Sequence, residues 1–143
     1  MKTFKTLATL LFTSSVLYAQ DIPKNQVPSV VLNQFNIDFP KAKDIDWEME
    51  GNIYHVDFEL GWDQDVEAWY ESNGKLIRLE EELSRKSELP QAVIATIEKN
   101  FQSYEIDDVE KITENKNEYY KIELEKGKKE ITININKNGT LIK

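Results

Sequence analysis

The 143-residue chain contains no cysteine and only one histidine, His55. Without cysteine there is no thiol nucleophile, no disulfide and no thiolate-bound zinc. A zinc site with two histidines is excluded within one chain. A Ser-His-Asp triad would have to use His55, and the sequence has no nucleophile-elbow motif to accompany it. Enzymes built on these groups are therefore excluded, and the fold must be stabilised by a packed core.

Long apolar runs are also missing, apart from one near the N-terminus. Lys2 and Lys5 precede the run LATLLFTSSVLY, and the small residue Ala19 follows it. This order is typical of a secretory signal peptide. A membrane anchor is the alternative, but a spanning helix needs about 20 apolar residues. We predict a signal peptide at residues 1–20 and a mature chain that is exported, periplasmic or secreted, and not inserted in the membrane.

Positive charge is scarce, because 18 Lys and Arg face 26 Asp and Glu, for a formal net charge of −8. Loss of the predicted signal peptide removes Lys2 and Lys5 and changes the net charge from −8 to −10. A chain this acidic should repel nucleic acids and anionic lipid surfaces. We therefore expect neither as a partner.

Two segments share one apolar pattern at an offset of 62 residues: VPSVVLNQFNIDF at 27–39 and LPQAVIATIEKNF at 89–101. In each, the apolar residues fall three or four positions apart, which predicts a short helix with one buried stripe. Pro28 and Pro90 suit the first helical position, where no backbone N–H is needed. Ser87 is placed to cap the second helix.

After each predicted helix the apolar residues alternate with polar ones, as in YHVDFEL at 54–60 and YYKIELE at 119–125. Strict alternation is typical of strands with one buried and one solvated face. Turn signals recur at matching places, and the Asn-Gly pairs at 73–74 and 138–139 predict two-residue hairpin loops.

Each copy therefore predicts a helix followed by four antiparallel strands, with repeat one at 22–84 and repeat two at 85–143. The fold class is α+β. The alternative is an unrelated α+β domain whose halves are alike by chance.

The signal peptide, the two tandem repeats and the repeat endings YESNGKLI and NKNGTLI together resemble the PepSY-like family. These are small exported bacterial proteins whose fold is similar to that of the beta-lactamase inhibitor protein. The resemblance covers the chain from about Ile22 to Lys143 and implies a single PepSY-like domain at 21–143. It implies one continuous sheet with helices on one face, the other face being free to bind protein. The family has no established catalytic residues, and none is assigned here.

The stretch GWDQDVEAWYESNG concentrates aromatic and acidic side chains. Asp63, Asp65 and Glu67 alternate as in the first half of a calcium loop. Such a loop needs glycine at its sixth position and glutamate at its twelfth, where this chain has Ala68 and Gly74. We therefore expect Asp63 and Asp65 to be turn residues that bond nearby backbone N–H groups. No metal ligand and no cofactor is assigned.

Polar residues on the solvated side of two strands form another candidate, with His55, Asp57 and Glu59 on one strand and Glu67 on the next. Paired carboxylates catalyse glycoside cleavage, but that chemistry needs a pocket that shifts one pKa. An open sheet face supplies little desolvation, so we assign no catalytic residue. His55 is expected to be an ordinary surface histidine whose charged form the neighbouring carboxylates favour.

Two tryptophans stand in polar surroundings, Trp62 at a hairpin tip and Trp69 among acids, whereas Trp47 and Tyr54 fall in the buried series. Exposed tryptophans are enriched among binding hot spots. In the alternative, Trp69 lies over the sheet and packs against Arg78 or Lys121. The predicted partner-binding residues are Trp62, Trp69, His55, Asp57, Glu59 and Glu67.

The leading hypothesis is a non-enzymatic exported binding module that presents its open sheet face and hairpin tips to a protein of the cell envelope. Inhibition of an envelope enzyme is suggested by fold analogy alone. The alternatives are a small-ligand or divalent-cation binder that uses the acidic sheet face, and an enzyme such as a glycosidase. The first repeat, which holds all three tryptophans and the histidine, or the seam between the repeats is the expected place of a site.

Overall fold

The computed structural model describes residues 19–83 and 88–142. Helix α1 spans Ser29–Asp38 and helix α2 spans Gln91–Asn100. The strands are β1 (Gln20–Asp21), β2 (Lys43–Glu50), β3 (Ile53–Leu60), β4 (Gln64–Glu71), β5 (Leu76–Glu82), β6 (Glu105–Glu114), β7 (Asn117–Lys126), β8 (Lys129–Asn136) and β9 (Leu141–Ile142). Residues 1–18 of the predicted signal peptide, the predicted repeat boundary at 84/85 and the predicted cap Ser87 lie outside the described residues.

All nine strands belong to one antiparallel sheet, and their order in the sheet is their order along the chain. Helix α1 is followed by β2 to β5 and helix α2 by β6 to β9. The α+β fold of two helix-plus-four-strand repeats is therefore confirmed. The sequence interpretation missed β1, whose Gln20 and Asp21 pair with Met49 and Glu48, because two residues are too few to show an alternation.

The first core lies between α1 and strands β2 to β4. Phe35 of α1 is its centre, with its ring 5.3 Å from Trp47 and 5.1 Å from Phe58, both edge-on. Edge-to-face packing of this kind stabilises aromatic clusters. Trp47 is buried as predicted, while Tyr54 packs against this core and is only partly buried. The Tyr70 hydroxyl donates a 2.9 Å hydrogen bond to Asp38 at the end of α1.

A second, distinct core lies under α2. Its buried residues are Leu89, Val93, Ile97, Val109, Tyr120, Ile122, Leu124 and Ile135. Val66 of the first core pairs with Glu81, Glu81 with Lys111, and Lys111 with Tyr120 of the second core. Residues paired directly across neighbouring strands lie on the same face of a sheet. Both helices therefore cover one face, as predicted.

The helix starts differ from the prediction by one residue. Pro28 and Pro90 directly precede the helices and have extended ψ angles of 140° and 143°. Their carbonyls already accept the first helical bonds, at 3.0 Å from the Leu32 N–H and 3.2 Å from the Ile94 N–H. A residue that is itself extended but accepts the first helical bond is an N-cap, so the prediction of first helical positions was wrong.

The Asn-Gly loops are longer than the predicted two-residue turns. Glu71 ends β4 and Leu76 begins β5. Gly74 has a φ of +86°, whereas Asn73 is not among the residues with positive φ, although a type I′ turn needs both. The Asn73 side chain instead accepts a 2.9 Å hydrogen bond from the Lys75 N–H. The Gly74 N–H also bonds to the Glu71 carbonyl oxygen at 2.9 Å, so the backbone makes a four-residue turn over 71–74 and the Asn73 side chain holds the residue that follows it.

These loops lie directly against the helix starts. A Cβ added at Gly74 would lie 3.1 Å from the Val30 carbonyl oxygen, and one added at Gly139 would clash with the Ala92 carbonyl oxygen. Because both loops approach their helix in the same way, the repeated Asn-Gly pair fixes the position of each helix on its own four strands.

We expect Gly139→Ala to lower the free energy of unfolding by about 2–5 kcal/mol. Alanine at a left-handed φ costs about 1–2 kcal/mol, and overpacking against Ala92 adds about 1–3 kcal/mol. The control is Gly127→Ala, because Gly127 also has a positive φ, of +63°, but has open space around it. It should lose only about 1–2 kcal/mol. Urea unfolding of both variants measures the difference, and equal losses would mean that α2 moves freely away from the loop.

Candidate functional site

The face of the sheet that the helices leave uncovered, here called the open face, carries rows of charged side chains. In one row His55 pairs with Trp69, Trp69 with Arg78, and Arg78 with Glu114. In the next row Asp57 pairs with Glu67, Glu67 with Glu80, and Glu80 with Ile112. Glu59 pairs with Asp65 on the same face. The predicted residues His55, Asp57, Glu59, Glu67 and Trp69 therefore share one face.

His55 is buried on this face, with 6% of its surface exposed. Its Nε2 lies 3.0 Å from Glu67 and 3.8 Å from Asp57, and its Nδ1 lies 3.3 Å from Glu48 and 3.7 Å from Glu50. We call these five residues the histidine cluster. The prediction of an ordinary surface histidine was wrong, because alternation indicates which face a residue is on but not how deeply its neighbours cover it.

The carboxylates of the cluster hold His55 in its charged form. Burial alone would lower its pKa, but the hydrogen bonds to Glu67 and Glu48 and the charge of Asp57 outweigh burial and raise the pKa to about 9. The hydrogen bond from His55 in turn lowers the pKa of Glu67. Burial raises the pKa of Asp57, and the charges of Glu67 and Glu48 add to the rise, while that of His55 opposes it. At neutral pH the cluster is therefore an imidazolium ion surrounded by acidic groups.

The aromatic ring of Trp69 packs against side chains of the two neighbouring strands. Its ring stacks on His55 at a centroid distance of 4.4 Å and an angle of 13°. The Arg78 guanidinium, from the strand on the other side, lies 5.4 Å from the ring centroid. Trp69 was predicted either to contact a partner or to pack against Arg78 or Lys121. Its contacts in the structure are those of packing against Arg78, and a role in binding stays a prediction. Lys121, the other residue considered, bonds to Glu110 at 2.9 Å.

Trp62 occupies the turn between β3 and β4 and is fully exposed, at 101% of its reference area. The Lys43 ammonium donates a 3.1 Å hydrogen bond to the Gly61 carbonyl oxygen at the base of this turn. Asp63 lies in the same turn, but Asp65 lies in β4, so its predicted role as a turn residue was wrong. The tip of the hairpin thus presents a large aromatic side chain to solvent.

Six acidic side chains line a shallow depression of about 160 Å³ on the open face, here called the acidic depression: Asp65, Glu67, Glu80, Glu82, Asp108 and Glu110. They come from β4, β5 and β6 and therefore straddle the seam between the repeats. Glu80 pairs with Arg78 and Glu110 with Lys121.

Three members of the acidic depression, Asp65, Glu82 and Asp108, form no ion pair with a lysine or arginine among residues 19–83 and 88–142. Burial raises the pKa of Glu82, and so do the charge of Asp108 and the hydrogen bond and charge of Asp65. This end of the depression therefore carries uncompensated negative charge.

Sequence reasoning missed Glu80, Glu82, Asp108 and Glu110 as members of a common surface. Their two-residue spacing within each strand was visible in the sequence. The pairing of Glu82 with Glu110 between the repeats was not visible, because no local pattern fixes the register of two strands that are distant in sequence.

His55 should stabilise the folded protein most at low pH. Its folded pKa of about 9 exceeds the ordinary value of 6.5, so its contribution is complete below pH 6.5 and is lost as pH rises through 9. The full shift corresponds to about 3 kcal/mol, which solvent screening of the half-exposed carboxylates reduces to ~1–2 kcal/mol.

Urea unfolding in metal-free buffer, below pH 6.5 and above pH 9, tests this expectation. Wild type should lose more stability between the two conditions than His55→Gln, which cannot titrate at this position. The same pH dependence in both proteins would show that His55 does not stabilise the fold through its charge.

Structural comparison finds several proteins with the same fold. A BLIP-like protein from Bacteroides fragilis has a TM-score of 0.70 and 23% identity over 85% of each chain. A DUF2874 family protein from Bacteroides uniformis has a TM-score of 0.72 and 17% identity, over 81% of this chain and 86% of that one. A Bacteroides eggerthii protein, provisionally described as periplasmic, has a TM-score of 0.73 and 17% identity, over 82% and 86%. At these low sequence identities, the comparisons show that the proteins share a fold and nothing further.

No curated protein matches the sequence of the chain at a significant level. In the described ranges, neither helix is long and apolar enough to cross a membrane. The PepSY_like family model matches residues 16–78 and again residues 52–143. This family is provisionally described as beta-lactamase-inhibitor-like and PepSY-like. That description is of an inhibitor-like, binding type of protein rather than of an enzyme. With two matches that together cover most of its length, the chain belongs to the PepSY-like family.

Proposed function

We propose that the chain is a non-catalytic binding module that takes up a basic surface of another protein on its open face. The observation that carries this proposal is the acidic depression, where Asp65, Glu82 and Asp108 crowd together without a cation from the described part of the chain. The inhibitor-like description of the family supports binding over catalysis.

Charge complementarity selects the chemistry of the partner. A lysine or arginine side chain entering the acidic depression relieves the repulsion from Asp108 and Asp65, which adds to the effect of burial in raising the pKa of Glu82. The net charge of −8 also attracts a basic partner over a distance and speeds its association. Binding should therefore weaken as salt concentration rises.

Trp62 supplies the apolar part of the contact. It is fully exposed and stands three residues before Asp65 in the same hairpin. A tryptophan beside a charged patch buries a large apolar area at a small entropic cost, which is the usual composition of a binding hot spot. The partner would contact Trp62 and the acidic depression together.

The proposed partner is a protein of the cell envelope. The signal peptide pattern in the first twenty residues and the provisionally periplasmic relative from Bacteroides eggerthii both favour this compartment. Inhibition of an envelope enzyme is the finer form of the proposal, supported by the likeness to a BLIP-like protein from Bacteroides fragilis.

Affinity capture from an envelope extract with wild-type protein identifies the partner, whose affinity is then measured with purified variants. Trp62→Ala should weaken binding by about 10–30-fold, as expected for a hot spot. Glu82→Gln should weaken it by about 5-fold, because it removes one uncompensated charge.

Glu98→Gln is the matched control, since it removes the same charge from helix α2 on the covered face. It should leave the affinity within about 2-fold of wild type. Equal losses for Glu82→Gln and Glu98→Gln would reduce the interaction to non-specific charge attraction. A partner that binds Trp62→Ala as tightly as wild type would contradict the role of the hairpin tip.

A further inference from the structure

We propose that His55, Asp57 and Glu67 form a binding site for a divalent transition-metal ion, with Zn²⁺ as its natural probe. The ligands would be Nε2 of the imidazole, whose proton the ion displaces to solvent, and one carboxylate oxygen from each acid. The site lies within the histidine cluster on β3 and β4. It does not depend on the proposed protein binding, which rests on Trp62 and the uncompensated end of the acidic depression.

The spacing of the three ligand atoms fits a common metal ion. Nε2 of His55 lies 3.0 Å from Glu67 Oε2 and 3.8 Å from Asp57 Oδ1, and all three ligand atoms lie within 4.8 Å of one another. Ligands bound to zinc at about 2.0–2.2 Å stand roughly 3–3.6 Å apart in a tetrahedral site. Small side-chain rotations of Asp57 and Glu67 therefore suffice to close the site.

The other side of the imidazole is already arranged as in known metal sites. Nδ1 of His55 lies 3.3 Å from Glu48 Oε2. Metal-bound histidines usually donate the free ring N–H to a carboxylate, which fixes the tautomer and leaves the opposite nitrogen for the metal. Glu48 is placed to accept this bond and is thus a positioning residue.

The ring is also held in place before any ion arrives. His55 is 6% exposed and stacks on Trp69 at 4.4 Å. A pre-oriented ligand loses little conformational entropy when it binds. This distinguishes the cluster from a group of flexible surface acids, which attracts cations without a defined geometry.

The composition of the site favours a transition metal over calcium. One imidazole nitrogen with two carboxylate oxygens suits zinc and its neighbours, whereas calcium prefers six to eight oxygen ligands. Three protein ligands leave a fourth position for water or for a group from a bound molecule.

The test uses metal-free wild-type protein titrated with Zn²⁺, or with Ca²⁺ for comparison, and followed by NMR and calorimetry. Because the chain has one histidine, the imidazole signals belong to His55 without ambiguity. We expect one Zn²⁺ per chain, with shifted His55 signals, and no shift of these signals with Ca²⁺.

Asp57→Asn removes one ligand and should weaken Zn²⁺ binding by about 10-fold or more. Asp107→Asn is the matched control: it makes the same change at an exposed position of β6 that belongs neither to the ligand set nor to the acidic depression, and it should change the affinity less than about 2-fold. Both substitutions are nearly isosteric and leave His55 unchanged, and the affinities are compared on folded protein.

Three outcomes overturn the proposal. The first is Zn²⁺ uptake that leaves the His55 signals unmoved. The second is an equal loss of affinity in Asp57→Asn and Asp107→Asn, which would reduce the effect to diffuse attraction by the acidic chain. The third is no binding of Zn²⁺, which would make the cluster an internal ion pair alone.

Discussion

The structure depends on the small size of its helices relative to its sheet. Two helices of ten residues each cover one face of a nine-stranded sheet, and no third layer is described in residues 19–83 and 88–142. An uncovered sheet face must be polar to remain in water. Most apolar residues of the strands therefore point towards the helices, and most of their charged residues lie on the opposite face. The candidate sites follow from this division.

A face with so many acids would repel itself without internal cations. His55, Arg78 and Lys121 each stand opposite carboxylates on neighbouring strands. They neutralise the middle of the open face and leave the end near Asp65 and Glu82 negative. Trp69, stacked on His55 and covered by Arg78, keeps two of these cations in place. The aromatic residue within the face and the aromatic residue at the hairpin tip thus have different roles, which their similar surroundings in the sequence do not reveal.

The sequence predicted those features that local periodicity determines. The helices could be predicted from apolar residues three or four positions apart, and the strands from alternating apolar and polar residues. The repeated order of these elements and the face shared by His55 and Asp57 could also be predicted. Features that depend on distant neighbours could not. The burial of His55 requires Trp69 and Glu48 from other strands, the acidic depression requires the register of β5 with β6, and the shape of the Asn73-Gly74 loop depends on its contact with α1.

The two hydrophobic cores are distinct, and between them the covered face carries the Glu81–Lys111 ion pair, at 3.6 Å, in place of apolar packing. Among the described residues, the β5–β6 ladder therefore links the two repeats, as in a repeat array whose stability is a sum of units and an interface. The acidic depression spans this ladder. A cation or basic side chain bound there would contact both repeats at once. Its binding would therefore stabilise the interface between the repeats and oppose the unfolding of one repeat before the other.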